Sequence, residues 1–147
     1  MIRKYGVKQI SVFLENRKGR LLEVTEALVQ ANINIRALAI AESAEFGILR
    51  LVVDNPEKAR TALSRSGFTT NEQDVFAVEV DDKPGSFHKV VKIMADQDIN
   101  IDYTYAFVGD SRRAVLIFRV HDEVLEKALK ALEKHGVKLV EPMFFYS

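Results

Sequence analysis

The strongest constraint on the fold of this 147-residue chain is an internal repeat. When the sequence is shifted by 66 residues, the segment "ENRKGRLLEVTEALVQANINI" aligns with "DDKPGSFHKVVKIMADQDINI", and Gly19 falls on Gly85. The shift grows to 67 residues in the strands that follow and to 69 residues where Gly67 falls on Gly136. A growing shift indicates that loops of different length separate shared elements. Because stacked repeat proteins need three or more copies, the sequence predicts two copies of one folded unit.

Each copy carries the same series of apolar patterns. Alternation at Ile10, Val12 and Leu14 predicts a strand with one covered face, and helical spacing from Leu21 to Leu28 predicts a helix that lies on it. Later stretches complete the series strand, helix, strand, strand, helix, strand, which is typical of ferredoxin-like folds. The predicted fold class is therefore α+β: two ferredoxin-like βαββαβ units packed side by side, with antiparallel sheets and helices on one face.

The expected domains are residues 1–72 and 73–147, joined by the short linker "NEQD" at residues 71–74. In the first copy, Asn55 before Pro56 predicts the start of the second helix, since proline suits the first helical turn. A hairpin turn is expected between the second and third strands of each copy. The linker is too short to let the two halves drift apart, so we expect them to pack together.

Composition excludes several classes of function. Lysine plus arginine equals aspartate plus glutamate, 21 each, so no net positive field favours a nucleic acid. The sheet face away from the helices is predicted to hold only one aromatic residue, Phe13, at its central positions, with Val52, Ala77 and Ile117 also uncovered. That is poor material for stacking RNA bases. The absence of cysteine fits a reducing cytosol, so we expect a cytoplasmic protein. The sequence has no leader-like start and no long apolar run, so we expect a complete chain and no membrane partner.

The sequence gives no sign of an active site. The three histidines, His88, His121 and His135, fall in separate predicted elements without the spacing of metal ligands. No phosphate-cradling glycine motif of the usual kinds appears. We therefore expect no enzyme, no catalytic residue, no metal and no cofactor.

The joint between the first strand and first helix of each copy is the candidate binding site. A helix that begins just after Gly19 or Gly85 presents unpaired backbone N–H groups, which suit a small carboxylate. Asn16 offers a donor and an acceptor to the ammonium and carboxylate of an amino acid. The alternative is that Asn16 and Asp82 only cap the helix or shape the turn. The residues alone leave both interpretations open.

The two aligned turn segments resemble the ACT domain, an amino-acid-sensing module attached to enzymes such as phosphoglycerate dehydrogenase, aspartate kinase and acetolactate synthase. The resemblance covers essentially the whole chain, as a tandem pair without a catalytic domain. It implies a stand-alone, non-catalytic sensor that binds an amino acid at the interface between ACT units and modulates a separate metabolic enzyme. The alternative function is a structural adaptor whose ligand sites are vestigial.

The same resemblance implies ligand residues. The serine-sensing pattern of the family places ligand asparagines at Asn16 and Asn34, but Leu14 and Lys18 replace its histidine and proline, so serine specificity is not implied. Asp82 stands where the first copy has Asn16, and an ionised carboxylate there favours an ammonium group and repels the carboxylate of a ligand. The better site is expected to combine Asn16, Lys18, Gly19, Arg20 and Leu21 with Asn100 and Ile101. The poorer site is expected to combine Asp82, Gly85 and Ser86 with Asn34 and Ile35.

The C-terminal segment "PMFFYS" is more apolar than a free terminus needs. Together with the apolar residues expected on the uncovered sheet face, it favours a homodimer.

Overall fold

A computed structural model describes residues 1–42, 45–109 and 112–147. The predicted hairpin turns fall largely on residues 43–44 and 110–111, outside the described residues. The elements in chain order are α1 (Ile2–Tyr5), β1 (Val7–Glu15), α2 (Arg20–Gln30), β2 (Ile35–Glu42), β3 (Phe46–Val53), α3 (Pro56–Arg65), β4 (Thr70–Asp81), α4 (Ser86–Asp96), β5 (Ile101–Val108), β6 (Arg113–Val120), α5 (Asp122–Lys134), β7 (Lys138–Leu139) and α6 (Met143–Tyr146).

The chain forms two compact units, and each takes a short segment from the far end of the chain. The first unit comprises residues 8–73 and 145–147, and the second unit comprises residues 1–7 and 74–144. The terminal segments α1 and α6 were not predicted, because they are too short to show a periodic pattern. The expected boundary between residues 72 and 73 divides the chain by sequence order and remains a prediction. The side-by-side packing of the two units also remains a prediction.

The first unit has the predicted ferredoxin-like topology. Its strands lie in the order β2-β3-β1-β4, and all the pairings with a defined register are antiparallel. Asn55 caps α3 as expected, because its side-chain oxygen accepts a hydrogen bond from the backbone N–H of Lys58 at 3.2 Å. The core between sheet and helices is aliphatic apart from Phe68, with Ile10, Leu28 and Leu51 among its largest buried members.

The second unit repeats the topology, with the strands in the order β7-β4-β6-β5. Its core differs in being built around stacked aromatic rings. The ring centroid of Phe118 lies 5.6 Å from that of Phe76 and 6.0 Å from that of Phe87. Such pairs contribute about 0.5–1.5 kcal/mol beyond the burial of their surface. Helix α1 belongs to this unit and packs Met1 and Tyr5 against the same core.

Two expectations about the sheet are wrong. Residues 71–74 form no linker but lie inside strand β4. Two of their polar side chains have partners in the first unit: Glu72 pairs with Arg60 at 3.2 Å, and Gln73 accepts a hydrogen bond from the hydroxyl of Ser11 at 2.8 Å. The face expected to be uncovered is largely buried, since Val52, Ala77 and Ile117 are each at most 1% exposed. Phe13 remains half exposed.

Candidate functional site

The two glycine turns have almost the same backbone. Gly19 has φ +90° and Gly85 has φ +92°, and each directly precedes the first residue of a helix, α2 or α4. A Cβ at either position would meet nothing within 4 Å, so glycine is required by the backbone angle and not by crowding. No side chain caps either helix. The N–H groups of Arg20 and Ser86 donate to the carbonyls of Arg17 and Lys83 within the turns, so the N–H groups available to a ligand are those of the next residues of the first helical turn. Asn16 and Asp82 are thus not helix caps.

At the first turn, the guanidinium of Arg20 folds back over the protein. Its central carbon lies 4.4 Å from the ring centroid of Phe68, and its Nη1 donates to Glu23 at 2.5 Å. Its Nη2 lies 4.0 Å from a carboxylate oxygen of Glu15, and the side chain is only 16% exposed. Arg20 was expected to contact a ligand, but these contacts give it partners within its own unit.

At the second turn, Ser86 occupies the position of Arg20, and two cavities adjoin the turn. The apolar cavity, about 380 Å³, lies between the start of α4 and strands β5 and β6. The walls of the apolar cavity are mainly Phe87, Ala106, Val108 and Leu116, and Asp82, Lys83 and Ser86 also line it. This combination offers an apolar space next to charged and hydroxyl groups.

The second cavity, about 410 Å³, lies on the β7 side of the same turn and is called the cation-lined cavity here. Arg113 binds two carboxylates: its Nε lies 3.2 Å from Glu79, and its Nη1 pairs with Asp81. Lys138 contacts Glu79 at 2.8 Å. Hydrogen bonds from Lys138 first, and then from Arg113, hold the pKa of Glu79 below its usual value, although burial acts in the opposite direction.

The predicted ligand residues of one unit do not all meet within that unit. In the first unit, Glu15 pairs with Phe46 at one end of β3, and Ile35 pairs with Val53 at the other. Seven residues of strand separate the two ends by about 23 Å. Asn34 and Ile35 therefore lie far from the turn at Asn16, and Asn100 and Ile101 lie equally far from the turn at Asp82 because the second unit has the same register. Residues Asn16, Lys18, Gly19, Arg20 and Leu21 do lie together, as do Asp82, Gly85 and Ser86. Contact between the turn of one unit and the strand start of the other stays a prediction.

Several cavity residues were missed from the sequence. Phe87, Ala106 and Leu116 had been assigned only to strands and a helix, although Ala106 and Leu116 are paired neighbours on β5 and β6. A signal for the cation-lined cavity did exist: Lys89 and Lys138 stand where the first copy has Glu23 and Thr69. Charge differences between the two copies would have identified it.

Other expected features have local partners. The ring of His121 accepts a hydrogen bond from the backbone N–H of Glu123 at 3.4 Å, and the ring of His135 lies 2.8 Å from the carbonyl oxygen of Ala131. Within the described ranges, no three His, Cys, Asp or Glu side chains converge as a metal site would require. No helix in the described part of the chain has the length and apolar character needed to span a membrane.

A groove of about 970 Å³, larger than either cavity at the second turn, lies in the first unit along α3, away from the glycine turn. It is lined mostly by polar side chains, including Lys8, Arg60, Glu72 and Tyr146. Arg60 and Glu72 already pair with each other there, at 3.2 Å. Its size alone therefore does not make it the candidate site.

Comparison with known proteins agrees with this geometry. The family model described as an ACT domain pair matches residues 5–141. The chain therefore belongs to the ACT domain pair family, whose ACT units are regulatory domains. The expected resemblance and fold class are confirmed.

Solved structures show the same fold. Protein BT0572 from Bacteroides thetaiotaomicron is 38% identical, with a TM-score of 0.91 over 98% of each chain. The ligand-free regulatory subunit of aspartate kinase from Thermus thermophilus is 16% identical, with a TM-score of 0.66 over 92% of this chain and 96% of that one. The corresponding subunit from Thermus flavus is 18% identical, with a TM-score of 0.62 over 89% and 92%. No curated protein matches the chain.

Proposed function

We propose that this chain is a non-catalytic regulatory protein that binds an amino acid and modulates a separate metabolic enzyme. Its membership of the ACT domain pair family supports a regulatory role. The observation that carries the proposal is the apolar cavity beside the glycine turn of the second unit. A turn with free backbone N–H groups next to a cavity of this size suits a small zwitterion.

The chemistry of the apolar cavity favours an amino acid with an apolar side chain. Lys83 and the hydroxyl of Ser86 suit the ligand carboxylate, and Asp82 suits its ammonium group. Phe87 and Leu116 then contact the side chain. Asp82 is thus an ammonium partner in this proposal, which removes the objection that its charge repels a carboxylate.

The main point to test is which of the two turns binds the ligand more tightly. The sequence ranks the turn at Asn16 above the turn at Asp82, and that ranking stays a prediction. One contact and one cavity argue for the reverse order: Arg20 is held against Phe68 at the first turn, whereas an open cavity adjoins Ser86 at the second. We therefore place the principal ligand at the second turn.

The experiment is a thermal-shift screen with each of the twenty amino acids, followed by calorimetry with the ligands that raise Tm. We expect apolar amino acids to bind, with Asp82→Ala weakening binding more than Asn16→Ala. A greater loss from Asn16→Ala would restore the ranking made from the sequence. No shift with any amino acid at millimolar concentration would refute the sensor and favour the alternative, a structural adaptor with vestigial sites.

The proposal also includes the cytoplasmic location and the homodimer expected from the sequence. Light scattering with and without the bound amino acid tests the assembly, because a ligand that changes the assembly must bind its states with unequal affinity. A mass that stays monomeric under both conditions would remove the homodimer from the proposal and leave amino-acid binding as it is.

A further inference from the structure

We propose that the cation-lined cavity of the second unit is a separate binding site for a small dianion, carried as a phosphate group or as two carboxylates. The cavity has a volume of about 410 Å³, within the range of small-ligand sites. The inference does not depend on amino-acid binding at the apolar cavity, although the two cavities share Val80, Asp81, Lys83 and Ser86.

The charges around this cavity are unequal. Four cations line it and only two carboxylates, Glu79 and Asp81, oppose them. Arg113 contacts both carboxylates, and Lys138 contacts Glu79. Lys89 has no ion pair with any residue in the described ranges, and Lys83 lies 3.9 Å from Asp81. A dianion entering the cavity therefore meets an excess of two positive charges, and Lys89 is the cation of the lining that has no ion pair in the described ranges.

The first unit shows what this space holds when it is filled. The residues equivalent to Ser86 and Val137 are Arg20 and Phe68, and the guanidinium of Arg20 lies over the ring of Phe68. Its partners are Glu15 and Glu23. The first unit thus fills the corresponding space with its own cation, held by two carboxylates.

The second unit has lost this internal cation and inverted part of the surrounding charge. Lys89 stands in place of Glu23, and Lys138 stands in place of Thr69. Removal of the arginine opens the space, and the two lysines change the sign of the charge that it accepts. A cavity without a ligand would not need Lys89 or Lys138, since the replacement of arginine by Ser86 is enough to open the space.

The test is calorimetry of the full chain with inorganic phosphate and with succinate, each at constant ionic strength maintained with chloride. We expect at least one of the two probes to bind in excess of chloride. This binding should weaken as salt is added, because exposed charges are screened. Phosphate without succinate identifies a phosphate group as the ligand chemistry, and succinate without phosphate identifies a dicarboxylate. Binding of both identifies a general dianion site. If neither binds in excess of chloride, the proposal is wrong.

Matched variants locate the binding. Lys89→Glu restores the charge of the first unit and should weaken binding about five- to tenfold. Lys127→Glu makes the same charge change on the exposed side of α5, outside the cavity, and should cost less than about twofold. Equal losses from the two variants would mean that the whole protein attracts anions and that the cavity is not a site.

A second pair of changes rebuilds the filled state. The double variant Ser86→Arg with Lys89→Glu should abolish binding, since an internal guanidinium then takes the space. If far-UV circular dichroism shows that the double variant is unfolded, Lys138→Thr, which copies Thr69, provides the same test by charge removal alone. Unchanged binding in the folded variants would overturn the proposal.

Discussion

The turn at Gly19 and the turn at Gly85 have nearly the same backbone geometry, but the space beside the first turn is filled by a side chain and the space beside the second is open. In the first unit, Arg20 stacks on Phe68 and fills the space beside the turn. In the second unit, Ser86 leaves that space open, with cavities on both sides of the turn. The comparison teaches that the backbone of the turn is set by a glycine and a strand register, whereas its chemistry is set by a few side chains that contact it.

The same division holds in the cores. Ile10 and Leu51 of the first core are replaced by Phe76 and Phe118 of the second, and the half-exposed Leu21 is replaced by the half-exposed Phe87. The three rings stack with centroid separations of 5.6 and 6.0 Å around Phe118. The topology tolerates either packing, because it requires only that these positions be apolar and that the total volume fit.

The largest effect is expected where the aromatic core departs from the aliphatic one. Phe118→Ala should lower the free energy of unfolding by about 3–5 kcal/mol, since it removes a buried ring and leaves a cavity. Phe118→Leu copies Leu51 and should cost less than about 1.5 kcal/mol. Urea denaturation followed by circular dichroism measures both. Equal costs would show that leucine cannot replace the ring here and would contradict the interchange of the aliphatic and aromatic cores.

The next effect concerns what the two turns share. Gly19→Ala and Gly85→Ala should each lower the free energy of unfolding by about 1–2 kcal/mol, because an L-residue at a positive φ is strained. Asparagine at either position should cost less than alanine, since it tolerates left-handed backbone. The measurement is again urea denaturation. Costs that differ by more than about 1 kcal/mol between the two turns would contradict their backbone equivalence.

A smaller effect is expected from opening the filled turn. Arg20→Ser copies Ser86 and should lower the free energy of unfolding by about 1 kcal/mol, as it removes a cation–π contact and the ion pairs with Glu15 and Glu23. Arg17→Ser removes a neighbouring arginine that pairs with Glu15 at 2.9 Å without stacking on a ring, and it should cost less than about 0.5 kcal/mol. If the two variants lose the same stability, the stacking of Arg20 on Phe68 contributes nothing.

The smallest effect is a pH dependence expected from Glu79 of the second unit. The pKa of Glu79 is lowered by Lys138 and Arg113, whereas the equivalent residue of the first copy, Phe13, has no charge. The stabilisation from a lowered carboxyl pKa is present above the ordinary glutamate value of 4.5 and is lost as the pH falls through the folded-state value. Stability should therefore decrease below pH 4.5.

The matched variants for this dependence are Glu79→Gln and Glu26→Gln. Glu79→Gln should reduce the loss of stability between pH 6 and pH 3, measured as the shift of the urea midpoint. Glu26 is exposed and has no ion pair within the described ranges, so Glu26→Gln should leave the slope as it is. Identical slopes for Glu79→Gln and the unmodified chain would show that the Lys138 contact does not stabilise the fold.

The fold could be predicted from the sequence because it depends on local periods. The alternation at Ile10, Val12 and Leu14 lies within one strand, and the apolar stripe from Leu21 to Leu28 lies within one helix. The residues of both patterns are buried as expected, except for Leu21, which is half exposed. Repetition of the whole series strengthened each assignment. The capping of α3 by Asn55 was predictable for the same reason, since the cap and its proline are neighbours in the chain.

The remaining features depend on distant contacts. Residues 71–74 resemble a linker because asparagine, glutamate and glutamine rarely form strands, yet Gln73 is held in β4 by the hydroxyl of Ser11, 62 positions earlier. The filling of the first turn depends on Arg20 meeting Phe68, which no local pattern shows. A candidate ligand residue was therefore identified by its position, but its partners could not be.

The exchange of chain ends between the units has a practical consequence for dissecting this protein. A fragment cut at residue 72 keeps α1, which belongs to the other unit, and loses Tyr146, whose hydroxyl binds the backbone N–H of Lys8 at 2.9 Å. It also loses the carbonyl of Ser147, to which Arg36 donates at 3.0 Å. An affinity tag fused directly after Ser147 would lie next to these contacts and is better placed away from them. A fragment of half the length therefore cannot replace the intact chain in experiments.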